Sequence, residues 1–319
     1  MKTMRKLMAL CLVLLLALGC ALAEEKQLPE LSEGVKPVTW EVSEDHPMID
    51  TDEARALLQQ IIAGDYPTME ELKANHVVAQ LDELSAYYKA LYGNTAEIDT
   101  PERKALREEL KSWFLGLGSA TVERIRDDGS AVYSQLPTGE LSREYKMELV
   151  LGLPASGKST RIVNPDSNAM NAFILDPDMI KEQIPEYIES HGAGADAIHF
   201  EGMNIFDEAV QEFLAGDMKG TNAILPIVGT NLEELMEKYI RPFEEAGYNV
   251  KVKFKEAKPN EAAAHVVMRE LGGGQLINSK VAFDFGAGVV DVYEAFKTMT
   301  NAFGEPYVEE EAEELAPAA

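Results

Sequence analysis

The chain has 319 residues, 46% hydrophobic and 26% charged, a balance that suits a globular protein with a sizeable core. Its formal net charge is -26. Such an acidic surface repels the phosphates of nucleic acids and anionic lipids, so neither is expected as a partner, and any phosphate site must build its own local positive field.

Residues 1–23 read as a secretory signal peptide. Lys2, Arg5 and Lys6 form a basic start, and Leu7 to Gly19 is an apolar run too short to span a bilayer comfortably. Ala21-Leu22-Ala23 then places small residues where a signal peptidase cuts. Cleavage near Ala23 predicts an exported chain, secreted or in the cell envelope, with no transmembrane anchor; lipid attachment at Cys20 is the alternative. Both cysteines, Cys11 and Cys20, fall in this segment, so the remainder has no thiol for a disulfide, a zinc site or a nucleophile.

Residues 24–50, with Pro29, Pro37 and Pro47, read as an extended lead-in. Residues 51–144 read as a helical region with a hairpin. Thr51 caps a helix carrying Ala54, Leu57, Leu58, Ile61 and Ile62 at helical spacing. Further helices are expected from Thr68 to about His76, from Val78 to about Tyr92, and from Pro101 through Leu110 and Phe114. Arg124-Ile125-Arg126, the turn Asp127-Asp128-Gly129 and Ala131-Val132-Tyr133 pattern as the hairpin.

Over residues 145–307 short apolar runs alternate with amphipathic stretches. The expected strands are Met147–Leu151, Ala172–Leu175, Ala223–Val228 and Val250–Phe254; the expected helices are Phe200–Leu214, Leu232–Ala246 and Asn260–Leu271. That order predicts an α/β fold, a mostly parallel sheet flanked by helices. Residues 308–319 read as an acidic, solvated tail.

Gly152-Leu153-Pro154-Ala155-Ser156-Gly157-Lys158-Ser159 fits the phosphate-binding loop pattern in full. The glycines let consecutive amides turn inward around a phosphate, Lys158 adds a cation for the β/γ-phosphates, and the Ser159 hydroxyl is suited to Mg²⁺. The apolar run Met147–Leu151 leads into it as a strand should. Downstream, Asp176-Pro177-Asp178 ends the next strand, facing the crevice where open α/β sheets bind ligands. One carboxylate there is placed to hold a metal through water and the other to take a hydroxyl proton. The competing reading is local: Asp176 starts a turn and Asp178 caps a helix.

The P-loop with Thr160, the stretch Ile174-Leu175-Asp176-Pro177-Asp178 and Pro185-Glu186-Tyr187 together resemble the zeta toxin family of P-loop kinases, and His199-Phe200-Glu201 is compatible with it. The resemblance implies a nucleotide-kinase-like domain that uses ATP (or GTP) and Mg²⁺ to phosphorylate a small-molecule hydroxyl acceptor. In the best-known members that acceptor is UDP-N-acetylglucosamine. By the same resemblance Lys158 binds the triphosphate and Asp178 is the base, which leaves Asp176, through water, beside Ser159 as the metal's carboxylate. Arg269 and Lys280 would be basic residues facing the transferring group, with Gly272-Gly273-Gly274 as a lid hinge. His199, Glu201, Thr230 and Lys280 are candidate substrate contacts. Family members often carry an acidic residue and an arginine near a Gly-Thr pair at the third strand, whereas Val228-Gly229-Thr230-Asn231-Leu232 has neither, which leaves the acceptor open. The alternative function is an exported, non-catalytic binding module that keeps the P-loop fold, because ATP is scarce outside the cytoplasm.

Overall fold

A computed structural model describes residues 28–118, 140–277 and 283–309. The expected signal segment, the expected hairpin at 124–133, Lys280 and most of the expected acidic tail lie outside the described residues.

The N-terminal helices start where side chains cap them. Thr51 accepts from the Ala54 amide and opens α1, Asp52–Ile62. Thr68 and Glu71 form a reciprocal capping box on α2, Met69–Lys73. The helix expected to continue to His76 therefore stops early, because Asn75 caps a new helix, α3, His76–Tyr92. Thr100 with Pro101 at the first turn starts α4, Pro101–Gly116.

The α/β part has a four-stranded parallel sheet in the order β2-β3-β1-β4: β1 is Lys146–Gly152, β2 Phe173–Ile174, β3 Ala223–Ile227 and β4 Asn249–Lys255. The register sets Leu151 beside Ile227 on one side and Phe254 on the other, so the P-loop leaves the sheet between two neighbours. Met147, Leu149, Val150 and Leu151 are fully buried, as the continuous apolar run demands of a central strand covered on both faces. Phe173, Phe206, Phe213, Phe243 and Tyr248 fill the core around it.

The connecting helices are α5, Asn164–Met170, α6, Pro177–Lys181, α7, Pro185–Glu189, and α8, His199–Ala215. After β3 come α9, Leu232–Leu235, and α10, Arg241–Glu245, then α11, Pro259–Gly272, and α12, Gly286–Phe296. The single helix expected over 232–246 is interrupted by a π-turn at Met236–Ile240, and a second π-turn at Ser159–Val163 precedes α5. Both have the same cause. Pro165 and Pro242 lack an N–H and crowd the carbonyl four residues back, so the turn before each widens. Accordingly the Asn164 amide bonds Ser159 O and the Arg241 amide bonds Met236 O, five residues back.

A second apolar core joins the N-terminal part to α11. Val38, Met48, Leu57, Leu58, Ile61 and Leu81 pack in one cluster with Ala263, Val267 and Leu271. The Met48 amide also bonds Leu271 O at 2.7 Å.

Candidate active site

Gly152 ends β1, and a Cβ there would lie 3.0 Å from both Lys255 O and Ser156 Oγ, so only glycine lets the loop leave the sheet this closely. Gly157 sits at φ +82, the left-handed region glycine tolerates. Ala155 takes the same region at φ 52 without that freedom, a strained residue inside the loop. The loop is folded over its own lysine: Lys158 Nζ donates to Gly152 O at 2.9 Å and Leu153 O at 2.8 Å. Burial pushes the Lys158 ammonium down to about 8, with the charge of Asp176 pulling the other way. Ser156 Oγ is buried with no hydrogen-bond partner among the described residues, an orphan of the kind a bound oxyanion satisfies. Ser159 opens the helical turn beyond the loop and Thr160 faces solvent.

Beside the loop, β2 delivers a carboxylate pair. Asp176 caps α6 by accepting from the Asp178 amide at 3.0 Å, so the capping duty falls on Asp176 and leaves the Asp178 carboxylate for other partners. Those partners are both cations: Asp178 Oδ1 meets Lys181 Nζ at 3.1 Å and Oδ2 meets Arg269 Nη2 at 2.9 Å. Burial resists charge on Asp178, but Lys181 and Arg269 outweigh it and hold the carboxyl far below the usual range. Asp176 is pushed up to about 6 by burial and then by the Asp178 charge. Glu182, one turn beyond Asp178, rises to about 7 through burial and the charges of Asp178 and Asp176. Arg269, from α11, crosses to this pair rather than standing free in solvent. Lys158, Asp176, Asp178 and Arg269 all lie within reach of one another's fields.

Other expected residues sit elsewhere. Glu201 is 1% exposed and is held by arginines of α4. It accepts from Arg103 Nε at 2.8 Å, from Arg103 Nη2, and from Arg107 Nε at 2.7 Å. Arg103 also forks onto Glu186 at 2.8 and 3.0 Å. Glu201 therefore ties α8 to α4, and Arg103 extends the tie to α7. Thr230 is exposed and lies under α12, where a Cβ on Gly288 would come 3.0 Å from its own Cβ. His199 starts α8 at the surface, edge-on to Phe200.

The glycines at 272–274 are packed, not free. A Cβ on Gly192 would fall 1.5 Å from Gly274 O, Leu276 N–H bonds Gly192 O at 3.2 Å, and Tyr187 donates to Gly274 O at 3.2 Å. Gly272 lies against Leu58 and Glu44. These residues permit backbones to touch instead of forming the expected hinge. One site residue escaped the sequence reading: Lys181, whose only signal was its place three residues after Asp178.

The profile of the zeta toxin family matches residues 137–303, just over half of the chain. The chain belongs to the zeta toxin family. No curated protein matches it significantly. Residues 28–118, with α1–α4, lie outside the zeta toxin match. Among the described residues no group of three or more His, Cys, Asp or Glu is placed to hold a metal, and no helix is long and apolar enough to cross a membrane. A serine at the loop exit, one nearby carboxylate and an unpaired loop hydroxyl fit a cation held largely by nucleotide phosphates and water, as Mg²⁺ is in P-loop sites.

Proposed function

We propose that this zeta-toxin-family protein is an ATP-dependent phosphotransferase acting on a small hydroxyl acceptor. The observation that carries this reading is the Asp178 carboxylate, held by Arg269 beside the Lys158 loop. Gly152 to Thr160 would cradle the triphosphate, with Lys158 leaving Gly152 O and Leu153 O for the β/γ-phosphates. Ser159, and Asp176 through water, would hold Mg²⁺, which when bound neutralises charge on those phosphates. Asp178 receives the proton of the acceptor hydroxyl as its oxygen bonds the γ-phosphorus and the bond to the ADP oxygen breaks. Arg269, released from Asp178, faces the charge spread over the transferring group. A sugar nucleotide such as UDP-N-acetylglucosamine is the acceptor to try first. The signal-like start of the chain supports export.

A second reading is an exported binding module. It is favoured by the missing charges around Gly229-Thr230 and by the self-bonded Lys158. Calorimetry with ATP–Mg²⁺ and transfer from labelled ATP onto sugar nucleotides separate the two. Phosphotransfer requires binding that Lys158→Ala abolishes and transfer that Asp178→Asn abolishes while binding survives. Normal transfer by Asp178→Asn removes the base assignment, and binding without transfer to any acceptor leaves the module.

A further inference from the structure

Two cations hold Asp178, and they differ in freedom. The Lys181 side chain is 8% exposed and that of Arg269 37%. Lys181 is confined because α6 packs against α8, and Gly202 of α8 lies directly over its stem: a Cβ on Gly202 would sit 2.5 Å from Lys181 Cγ. A glycine inside a 17-residue helix is unfavourable relative to alanine, and here it makes room for a lysine. Phosphoryl transfer needs Asp178 Oδ2 open to the acceptor hydroxyl and Arg269 on the phosphoryl group, so the bond between them must break. If it were the carboxylate's only tether, Asp178 would then be free to rotate.

The geometry points to Lys181 as a positioning residue, a fixed cation that holds Oδ1 of Asp178 and keeps Oδ2 aimed at the acceptor while Arg269 exchanges carboxylate for phosphate. This inference rests on the phosphotransferase reading. The arrangement separates two duties that one cation cannot perform. Arg269 reaches the site from α11 and has the exposure to swing. Lys181 grows from the helix of Asp178 itself, one turn on, and α8 closes over it. The ion pair of Lys181 is with Asp178, so its loss is expected to act through that carboxylate.

The test uses the full chain with UDP-N-acetylglucosamine as acceptor, Lys181→Met and Gly202→Ala, each checked by circular dichroism. Lys181→Met removes the ammonium; Gly202→Ala leaves the charge in place and displaces the stem. Both are expected to lower kcat about 10- to 100-fold, the scale of a misplaced reacting group. The KM for acceptor and the Kd for ATP stay within about twofold, as ordinary positioning through Asp178 implies. Wild-type kcat in a folded Lys181→Met, or a raised acceptor KM with kcat unchanged, overturns the inference. Asp178→Asn separates the levels: if it transfers normally the phosphotransferase assignment of Asp178 fails, and if it is dead while Lys181→Met is fully active only the role of Lys181 fails. A readout independent of turnover is the ¹⁵N-ammonium resonance of Lys181, assigned by its loss in Lys181→Met. It should persist, protected from exchange, when a non-hydrolysable ATP analogue with Mg²⁺ is added. Its disappearance or release to solvent on nucleotide addition refutes a fixed cation even if no acceptor is phosphorylated.

Discussion

Replacing Glu201 by alanine should unfold the protein far more readily without touching its chemistry. The side chain is 1% exposed and carries one charge between two guanidinium groups, of which Arg103 is 10% and Arg107 20% exposed. Breaking a buried ion pair from one side costs about 3–5 kcal/mol, because the partner charge stays buried. Here the partners are not stranded. Arg103 keeps both bonds to Glu186, and Arg107 keeps the carbonyls of Thr95, Ala96 and Ile98 at 2.9–3.2 Å. The lower end, about 3 kcal/mol, is therefore expected. At about 2–4 °C per kcal/mol for a chain of this size, the melting midpoint falls roughly 6–12 °C. Denaturant unfolding of Glu201→Met, Arg103→Met and the double variant Arg103→Met with Glu201→Met measures the coupling, with Glu201→Ala read alongside. The double variant should lose less than the two singles together, since an apolar pair of similar volume is often no worse than the ion pair. Burial raises the Glu201 carboxyl, but Arg103 and then Arg107 hold it below the ordinary glutamate value. Its contribution is thus present at and above that ordinary value and is lost as pH falls through the lowered one. A loss below about 1 kcal/mol, or a Glu201→Gln variant with full stability and no phosphotransfer, refutes the structural assignment.

Gly157→Ala and Gly192→Ala should differ in kind. At Gly157, where φ is +82 and the nearest obstacle to a Cβ is Arg161 Cγ at 4.0 Å, only backbone strain of about 1–2 kcal/mol is added, read by chemical denaturation. At Gly192 the same strain joins a 1.5 Å overlap with Gly274 O, so the loss should exceed that range and amide exchange should quicken at Leu276. Glu182 is raised to about 7, so its neutral form stabilises the fold below the ordinary glutamate value of 4.5, and that stability is lost as pH rises through about 7. Melting curves across that window should flatten in Glu182→Gln. Burial lowers Lys158 to about 8, and a bound triphosphate would restore its charge, so ATP binding at pH 9 should take up protons, seen by calorimetry in buffers of different ionisation enthalpy. No proton uptake there contradicts the assignment.

Strand positions were legible because apolar runs in a parallel sheet carry their own boundaries. Met147–Leu151 differs from the observed Lys146–Gly152 by one residue at each end. The P-loop pattern was legible for a related reason, since its requirements are local. What escaped depends on distance. Glu201 finds its partner Arg103 98 positions away, and no spacing rule connects them. Helix α12 was missed because Gly286, Gly288, Val289 and Val290 weaken every local helix signal while burial of Val289 and Phe296 supplies the stability. The glycines at 272–274 were misread because the same residue type serves a hinge and a close contact, and only the neighbouring backbone at Gly192 distinguishes them.

The shared core of the N-terminal helices and α11 bears on how this protein is to be handled as an object. A boundary drawn at the family match would cut between α11 and the leucines that cover it, leaving Ala263, Val267 and Leu271 as an apolar stripe in water. The matched stretch then leaves one face of its own helix without its cover. A fragment beginning at residue 137 should be sticky and poorly soluble, whatever becomes of its nucleotide loop.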